Sequence, residues 1–233
     1  MIEFYHNTGK ENIFGQIFSE NEESIKSIIL HGGGLNTNHT KLKELAVSLQ
    51  QNKINPIIFD FSGHGKSSSN KPNSLEKRVN ESMSIIDRYV HNKPFIVIAF
   101  SMSGHIALKL LEYKSQFIKY LVLFCPAIYS KDAYAVDFGP EFSEIIRSKN
   151  SWQNTDVLRF LKIYKGGLQI FYGEADNIVP KDVVELIYNG AKTTKAKELN
   201  LVADCGHKFL DYMNSESNRN EIINKIKIFV NNE

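Results

Sequence analysis

Three side chains that together could carry out nucleophilic catalysis each follow a short apolar run of the chain: Ser101, Asp176 and His207. A serine hydroxyl is a weak nucleophile by itself. It becomes reactive when a histidine accepts its proton and an acid orients that histidine. The order serine, acid, histidine therefore predicts an acyl-transfer site, provided that the fold brings the three side chains together.

The serine stands in the sequence Ala99-Phe100-Ser101-Met102-Ser103-Gly104, where an apolar run gives way to a helix-like pattern. A nucleophile at such a strand-to-helix turn needs small neighbours two positions away, because the strained turn brings backbones together, and the usual form is Gly-x-Ser-x-Gly. Ala99 and Ser103 replace the two glycines here, and each adds only a methyl or hydroxymethyl group. Taken alone, either serine could instead be a helix N-cap.

Two glycine-containing loops follow earlier apolar runs. His31-Gly32-Gly33-Gly34 offers backbone N–H groups to a ligand at close approach, although a flexible turn explains three glycines equally well. Thr37 stands where a dinucleotide fingerprint needs its third glycine. The second loop ends in Gly65-Lys66-Ser67 like a phosphate-binding loop, but Asp60 occupies the position of that motif's first glycine, which argues against an NTPase. We expect Asp60 and His64 to shape this turn.

Competing chemistry is less consistent with the sequence. Ser103 as the nucleophile would place the bulky His105 at a position that requires a small residue. Cys205 lies only two residues from His207, and no elbow surrounds it, so a thiol nucleophile is disfavoured. The histidines do not form a zinc-ligand spacing, and we expect no metal site among positions 31, 39 and 64.

Short apolar runs alternate with amphipathic segments along the chain. Strands are predicted for residues 27–30, 54–59, 94–100, 120–124, 168–172 and 198–202, and helices for 37–51, 75–90, 102–113, 181–191 and 216–230. This alternation indicates an α/β fold with an open, mostly parallel sheet. An antiparallel hairpin is predicted at the N-terminus, for residues 2–6 and 13–18. Residues 127–165 contain no predicted strand, and we expect a small lid inserted into one domain that spans 1–233.

Composition limits the classes of function. The 233 residues are 42% hydrophobic and 23% charged, which excludes a disordered chain, and the formal net charge of +2 predicts no nucleic-acid partner. Two cysteines, with neither a signal peptide nor a transmembrane segment in the sequence, indicate a cytoplasmic protein. The oligomeric state cannot be derived from the sequence.

Nearly the whole chain resembles the α/β-hydrolase superfamily, and most closely its monoacylglycerol-lipase and serine-aminopeptidase-like esterase branch. The resemblance is carried by five motifs: His31-Gly32-Gly33-Gly34, Asp60-x-x-Gly63-x-Gly65-x-Ser67, Ser101-Met102-Ser103-Gly104, Gly173-x-x-Asp176-x-x-Val179-Pro180 and Gly206-His207. The insertion at 127–165 also falls where that family has its cap. The altered elbow at Ala99 and Ser103 is the departure from the family pattern.

The resemblance implies a serine hydrolase that cleaves a small carboxylic ester, or a thioester or amide, through an acyl-enzyme intermediate. Ser101 would be the nucleophile, His207 the base and Asp176 its orienting acid. The N–H groups of Gly33 and Met102 would form the oxyanion hole, and no cofactor or metal is implied. The partner would be a small-molecule acyl substrate. A non-catalytic ligand-binding protein on the same fold is the alternative.

Overall fold

A computed structural model describes residues 1–231, except for the side chain of residue 23, and an eight-stranded sheet runs through it. The strands are β1 (Ile2–Asn7), β2 (Asn12–Ile17), β3 (Ser27–Leu30), β4 (Pro56–Phe59), β5 (Phe95–Phe100), β6 (Ile118–Phe124), β7 (Gly167–Gly173) and β8 (Ala196–Val202). Each lies within three residues of its predicted bounds. Every residue of β3, β4, β5 and β7 is buried, as expected for strands covered on both faces.

The strand order is β1-β2-β4-β3-β5-β6-β7-β8. Strand β1 pairs antiparallel with β2, and β2 pairs antiparallel with β4. All the remaining pairs, from β4–β3 to β7–β8, are parallel. The predicted mostly parallel sheet with an N-terminal antiparallel hairpin is therefore confirmed, and the fold is that of an α/β-hydrolase.

Eight helices connect or flank the strands in the described residues: α1 (His39–Gln51), α2 (Leu75–Ile85), α3 (Ser103–Lys114), α4 (Pro140–Arg147), α5 (Leu158–Leu161), α6 (Lys181–Gly190), α7 (Phe209–Tyr212) and α8 (Glu216–Asn231). Side-chain caps set two of the starts, because Asn38 accepts from the Thr40 N–H and Ser74 from the Lys77 N–H. The helix predicted for 75–90 is not uniform, since α2 gives way to a π-helical turn at Ile86–Val90.

The segment between β6 and β7 holds α4, α5 and two short 3-10 turns. Two pairs of its aromatic rings are in contact, with ring centroids of Phe138 and Phe142 4.7 Å apart and those of Tyr129 and Phe142 5.9 Å apart. Phe142 is buried, and these rings also pack against the hydrophobic core of the domain. The segment is therefore packed onto the rest of the domain, and a role as a lid remains a prediction.

The carboxyl ends of β3, β4, β5, β7 and β8 lead into the loops that carry the five sequence motifs named above. Because parallel strands all end at one edge of the sheet, these loops come together there. No helix among the described residues is both long and apolar enough to cross a bilayer.

Candidate active site

Ser101 stands at the tight turn between β5 and α3, and its backbone is in the left-handed region at φ +50°. A residue with a side chain adopts this conformation at a cost of about 1–2 kcal/mol. The turn is held by hydrogen bonds on both sides: the Ser101 N–H donates to the Phe124 carbonyl at 2.9 Å, and the Ser101 carbonyl accepts from Gly104 at 2.8 Å and Ala127 at 2.9 Å. The surrounding backbone therefore fixes the strained serine.

The two departures from the usual elbow sequence are accommodated. Ala99 is fully buried within β5, where it pairs with Leu30 and Leu123. Ser103 is also fully buried, and its hydroxyl donates to the backbone carbonyl of His31 at 2.5 Å. The added hydroxyl thus has an acceptor, so the replacement of glycine leaves no buried polar group without a partner.

A chain of hydrogen bonds joins the three side chains that the sequence motifs singled out. Ser101 Oγ lies 2.8 Å from His207 Nε2, and His207 Nδ1 lies 2.8 Å from Asp176 Oδ2. A carboxylate can only accept, so Nδ1 carries the proton, and Nε2 is left to accept from the serine hydroxyl. The structure therefore brings Ser101, His207 and Asp176 together in the arrangement needed to remove a proton from the serine.

The Asp176 carboxylate is fully buried and has its remaining oxygen satisfied. Oδ1 accepts from the N–H groups of Ile178 at 2.8 Å and Val179 at 3.0 Å. Burial by itself raises the pKa of Asp176, but the hydrogen bonds from His207 and from these two N–H groups outweigh it, and the net pKa is lowered. Asp176 is therefore a carboxylate at neutral pH, in a fixed orientation.

The glycine loop after β3 lies directly against the elbow. A Cβ on Gly32 would be in ordinary contact with Ser101 Cβ at 3.4 Å, and one on Gly33 would lie 2.8 Å from Met102 Cε. A side chain at position 33 would therefore require the end of the Met102 side chain to move. The backbone N–H groups of Gly33 and Met102 donate no hydrogen bond to any group in the described part of the chain. Both are therefore available to an oxygen atom next to Ser101.

Three basic side chains are buried at this loop: His31, which begins it, and His64 and Arg78 from neighbouring segments. Arg78 was not among the residues predicted from the sequence, although it is the one cation on the buried face that α2 forms with Leu75 and Val79. The signal that could have identified Arg78 is a single basic residue at a position where the helical spacing of the segment predicts an apolar one.

The Asp60 loop is held by its own carboxylate. Asp60 accepts from the His39 N–H at 2.6 Å, from His39 Nδ1 at 2.7 Å and from the Lys66 N–H at 2.9 Å. Asp60 therefore ties the start of α1 to the loop after β4, as expected for a residue that shapes a turn. Neither Asp60 nor His39 hydrogen-bonds to Ser101, His207 or Asp176.

Cys125, Asp176 and His207 offer ligand atoms that all lie within 4.8 Å of one another, which makes them a possible metal-binding group. Binding would require a thiolate and a deprotonated Nδ1 or Nε2. Burial raises the pKa of the Cys125 thiol, and the Asp176 carboxylate raises it further. The nearby Cys205 is also buried, and burial raises its pKa to about 11. Both sulfurs are therefore thiols at neutral pH in the metal-free protein, which disfavours a thiol nucleophile.

Residues 23–157 match the sequence model of the serine aminopeptidase family, S33. No curated protein sequence matches the chain. Among solved structures, it is similar to the ferulic acid complex of Est1E from Butyrivibrio proteoclasticus (17% identity, covering 96% of this chain and 99% of that one, TM-score 0.73). It is also similar to the esterase EaEST from Exiguobacterium antarcticum (18%, 97% and 100%, 0.72) and to the esterase Pf2001 from Pyrococcus furiosus (20%, 98% and 92%, 0.69). Likeness at these identities shows a shared fold.

Proposed function

The chain belongs to the serine aminopeptidase (S33) family of hydrolases, and we propose that it is a serine hydrolase that cleaves small carboxylic esters through an acyl-enzyme intermediate. The observation that carries the proposal is the continuous hydrogen-bonded chain from Ser101 through His207 to Asp176. It joins residues 106 and 31 positions apart in the chain, at the edge where open α/β sheets place their sites.

In the acylation step, Ser101 Oγ attacks the carbonyl carbon of the ester while His207 Nε2 accepts the hydroxyl proton. Asp176 keeps the other ring proton on Nδ1 and stabilises the imidazolium that forms. The tetrahedral intermediate then collapses, and the imidazolium donates its proton to the departing alcohol. The acyl group is left as an ester of Ser101.

The negative charge that develops on the carbonyl oxygen needs hydrogen-bond donors fixed in advance. The N–H groups of Gly33 and Met102 are proposed for this role, because Met102 follows Ser101 directly, Gly33 lies against Met102, and neither N–H donates to another group among the described residues. Met102 also lies at the start of α3, where the helix dipole favours negative charge. The loss of one donor of this kind typically costs about 2.7–4 kcal/mol of transition-state stabilisation.

Deacylation reverses the first step, with water in place of the alcohol. His207 Nε2 takes a proton from the water, the hydroxide attacks the acyl carbon, and the carboxylic acid leaves as Ser101 regains its proton. No step in this sequence uses a metal or an organic cofactor. A thioester or a small amide would pass through the same kind of intermediates. A panel of esters, thioesters and amides would therefore identify the leaving group that the enzyme accepts.

The decisive experiment combines a fluorophosphonate probe with p-nitrophenyl acetate hydrolysis. The probe phosphonylates only an activated serine, and mass spectrometry of the labelled peptide identifies which one. We expect label on Ser101 in the wild-type protein, and neither label nor turnover in Ser101→Ala. Ser103→Ala is the matched control, since Ser103 is the neighbouring serine and faces His31; it should still be labelled at Ser101.

Full turnover in a folded Ser101→Ala protein would refute the proposal. A wild-type protein that neither hydrolyses esters nor takes up the probe would favour the alternative, a non-catalytic binding protein on this fold. A series of p-nitrophenyl esters of increasing acyl length, followed by thioesters, would then define the substrate of the active enzyme.

A further inference from the structure

A buried arginine lies behind the glycine loop. Arg78 on α2 is 1% exposed, and its pKa is lowered to about 10 by burial, partly offset by Glu81 and Tyr129. It is therefore charged at neutral pH. To bury a cation in a protein core is costly unless hydrogen bonds and neighbouring groups compensate for the lost hydration. The partners of the guanidinium thus indicate what the charge does.

The guanidinium reaches the glycine loop at two places. Nη1 lies 3.4 Å from the Gly32 carbonyl oxygen, and Nη2 lies 2.7 Å from His64 Nε2. Arginine can only donate, so Nε2 of His64 accepts, and the His64 proton is on Nδ1, which donates to the Thr37 carbonyl at 2.9 Å. Arg78 therefore holds the loop of residues 31–38 directly at its start and through His64 near its end.

The Gly32 carbonyl has a second donor. His31 Nε2 accepts from the Phe61 N–H at 3.1 Å, which leaves the His31 proton on Nδ1, 2.8 Å from the Gly32 oxygen. Burial and the adjacent Arg78 charge lower the pKa of His31, so the ring stays neutral and keeps this tautomer. The oxygen is thus fixed from the protein interior by an imidazole and a guanidinium.

The peptide unit that contains this oxygen also contains the N–H of Gly33. In a trans peptide, the C=O and N–H groups are coplanar and point in opposite directions. When Arg78 and His31 hold the Gly32 oxygen toward the interior, the Gly33 N–H faces away from the interior. The elbow lies next to this peptide, since a Cβ added at Gly32 would meet Ser101 Cβ at 3.4 Å and one added at Gly33 would meet the Met102 side chain at 2.8 Å. A cation on the carbonyl also polarises the peptide and strengthens its N–H as a donor.

We propose that Arg78 is a positioning residue for the reaction, which aims the Gly33 N–H at the developing oxyanion by holding the opposite end of the Gly32–Gly33 peptide. This inference rests on the proposed serine hydrolase function. Arg78 touches neither the substrate nor the Ser101 hydroxyl in this mechanism. The guanidinium carbon also lies over the ring of Phe61, 4.8 Å from its centroid, and over the ring of Phe138 in the segment between β6 and β7, at 5.1 Å. Cation–π attraction to these rings stabilises the buried charge.

The test compares Arg78→Met and Arg78→Lys with a matched control. Lys109 is the control position, because it is also a buried cation of a helix that packs on aromatic rings, those of Tyr134 and Phe160, but its ion pairs are with Glu112 and Asp156. Lys109→Met therefore removes a buried charge without affecting the Gly32 carbonyl. Fluorophosphonate titration gives the concentration of active sites in each protein, so that kcat is expressed per functional Ser101.

We expect Arg78→Met to lower kcat for p-nitrophenyl acetate by about 10- to 100-fold with KM changed less than threefold, because a misaligned donor loses part of the effect of a missing one. Arg78→Lys should show an intermediate loss, since it keeps the charge without the fork. The ratio of kcat/KM for the ester to that for the matching thionoester should also fall, because sulfur accepts hydrogen bonds less well than oxygen. Lys109→Met should leave kcat and this ratio within twofold of the wild type.

Wild-type kcat and ester-to-thionoester ratio in titrated Arg78→Met would overturn the inference while leaving the hydrolase intact. Equal losses in Lys109→Met would also overturn it, because the effect would then belong to buried charge in general. If Arg78→Met does not fold, Arg78→Lys carries the test through the same ratio. Label on a residue other than Ser101 in the wild type would instead refute the proposed function itself.

Discussion

The orientation of Asp176 allows one substitution to be worked out in atomic detail. In Asp176→Asn, one side-chain atom remains an acceptor and the other becomes an NH₂ donor. The N–H groups of Ile178 and Val179, at 2.8 and 3.0 Å from Oδ1, require the acceptor on their side. The NH₂ group is thereby directed at His207 Nδ1, which must become an acceptor. The His207 proton then moves to Nε2, which donates to Ser101 and can no longer accept its proton.

The size of the effect follows from the free energy needed to turn over the side-chain amide in Asp176→Asn. The productive tautomer is regained only if the amide turns over, which gives up the hydrogen bonds to the N–H groups of Ile178 and Val179 at about 0.5–1.5 kcal/mol each. A total of about 1–3 kcal/mol corresponds to a population of roughly one part in five to one part in a hundred and fifty. We therefore expect kcat to fall by about 5- to 150-fold, with KM little changed.

The assay is p-nitrophenyl acetate hydrolysis at pH 8, with active sites titrated and thermal unfolding recorded to verify the fold. Asp182→Asn is the control, because Asp182 lies exposed in the first turn of α6, six residues further along the chain. It should retain wild-type activity. Should Asp176→Asn keep more than a third of the wild-type kcat, the tautomer argument would be wrong.

Three further outcomes are expected. Gly104→Ala should lower the free energy of unfolding in urea by about 1–3 kcal/mol, although alanine has the better helix propensity. The reason is that the new Cβ would lie 2.6 Å from Pro126 Cβ and 2.9 Å from Pro126 Cα. Unchanged stability would contradict this close approach. Cys205→Ala should keep kcat within about twofold, since the buried thiol is protonated at neutral pH; a large loss would point to a thiol mechanism. Burial lowers the pKa of His105 to about 4. Below about pH 6.5 the unfolded chain therefore binds a proton at His105 that the native state does not bind. The free energy of unfolding should accordingly fall as the pH drops from 6.5 toward 4. His105→Gln should reduce the slope by up to about 1.4 kcal/mol per pH unit in urea unfolding between pH 6 and 5, and an unchanged slope would count against a neutral His105.

The fold class and most element bounds could be predicted from the sequence because they depend on local patterns. A run such as Ser27–Leu30 is apolar at every position and is a fully buried strand. Side-chain caps at Asn38 and Ser74 give α1 and α2 their starts. The irregular end of the helical segment at Ile86–Val90 was not predicted, because the apolar spacing there is compatible with an uninterrupted α-helix.

The motifs also identified the residues of the candidate site, but the distances between their side chains could not be predicted from the sequence. Whether Ser103 could replace a glycine depended on the His31 carbonyl 72 residues away, which the structure places within hydrogen-bond distance. The catalytic roles of Ser101, His207 and Asp176 remain proposals for experiment, whereas their mutual distances are given by the fold.

Residue type and spacing determined by themselves that this chain forms a covered parallel sheet with a serine, an acid and a histidine after its strands. Only the tertiary structure decided that Arg78 lies beneath the glycine loop and that the Gly32 oxygen points toward it. The physical reason is the range of the interactions. The apolar patterns that predict strands and the residues that cap helices lie within a few positions of one another. The direction of the Gly32–Gly33 peptide is set instead by donors from α2 and from the loop after β3, which meet only when the sheet has assembled.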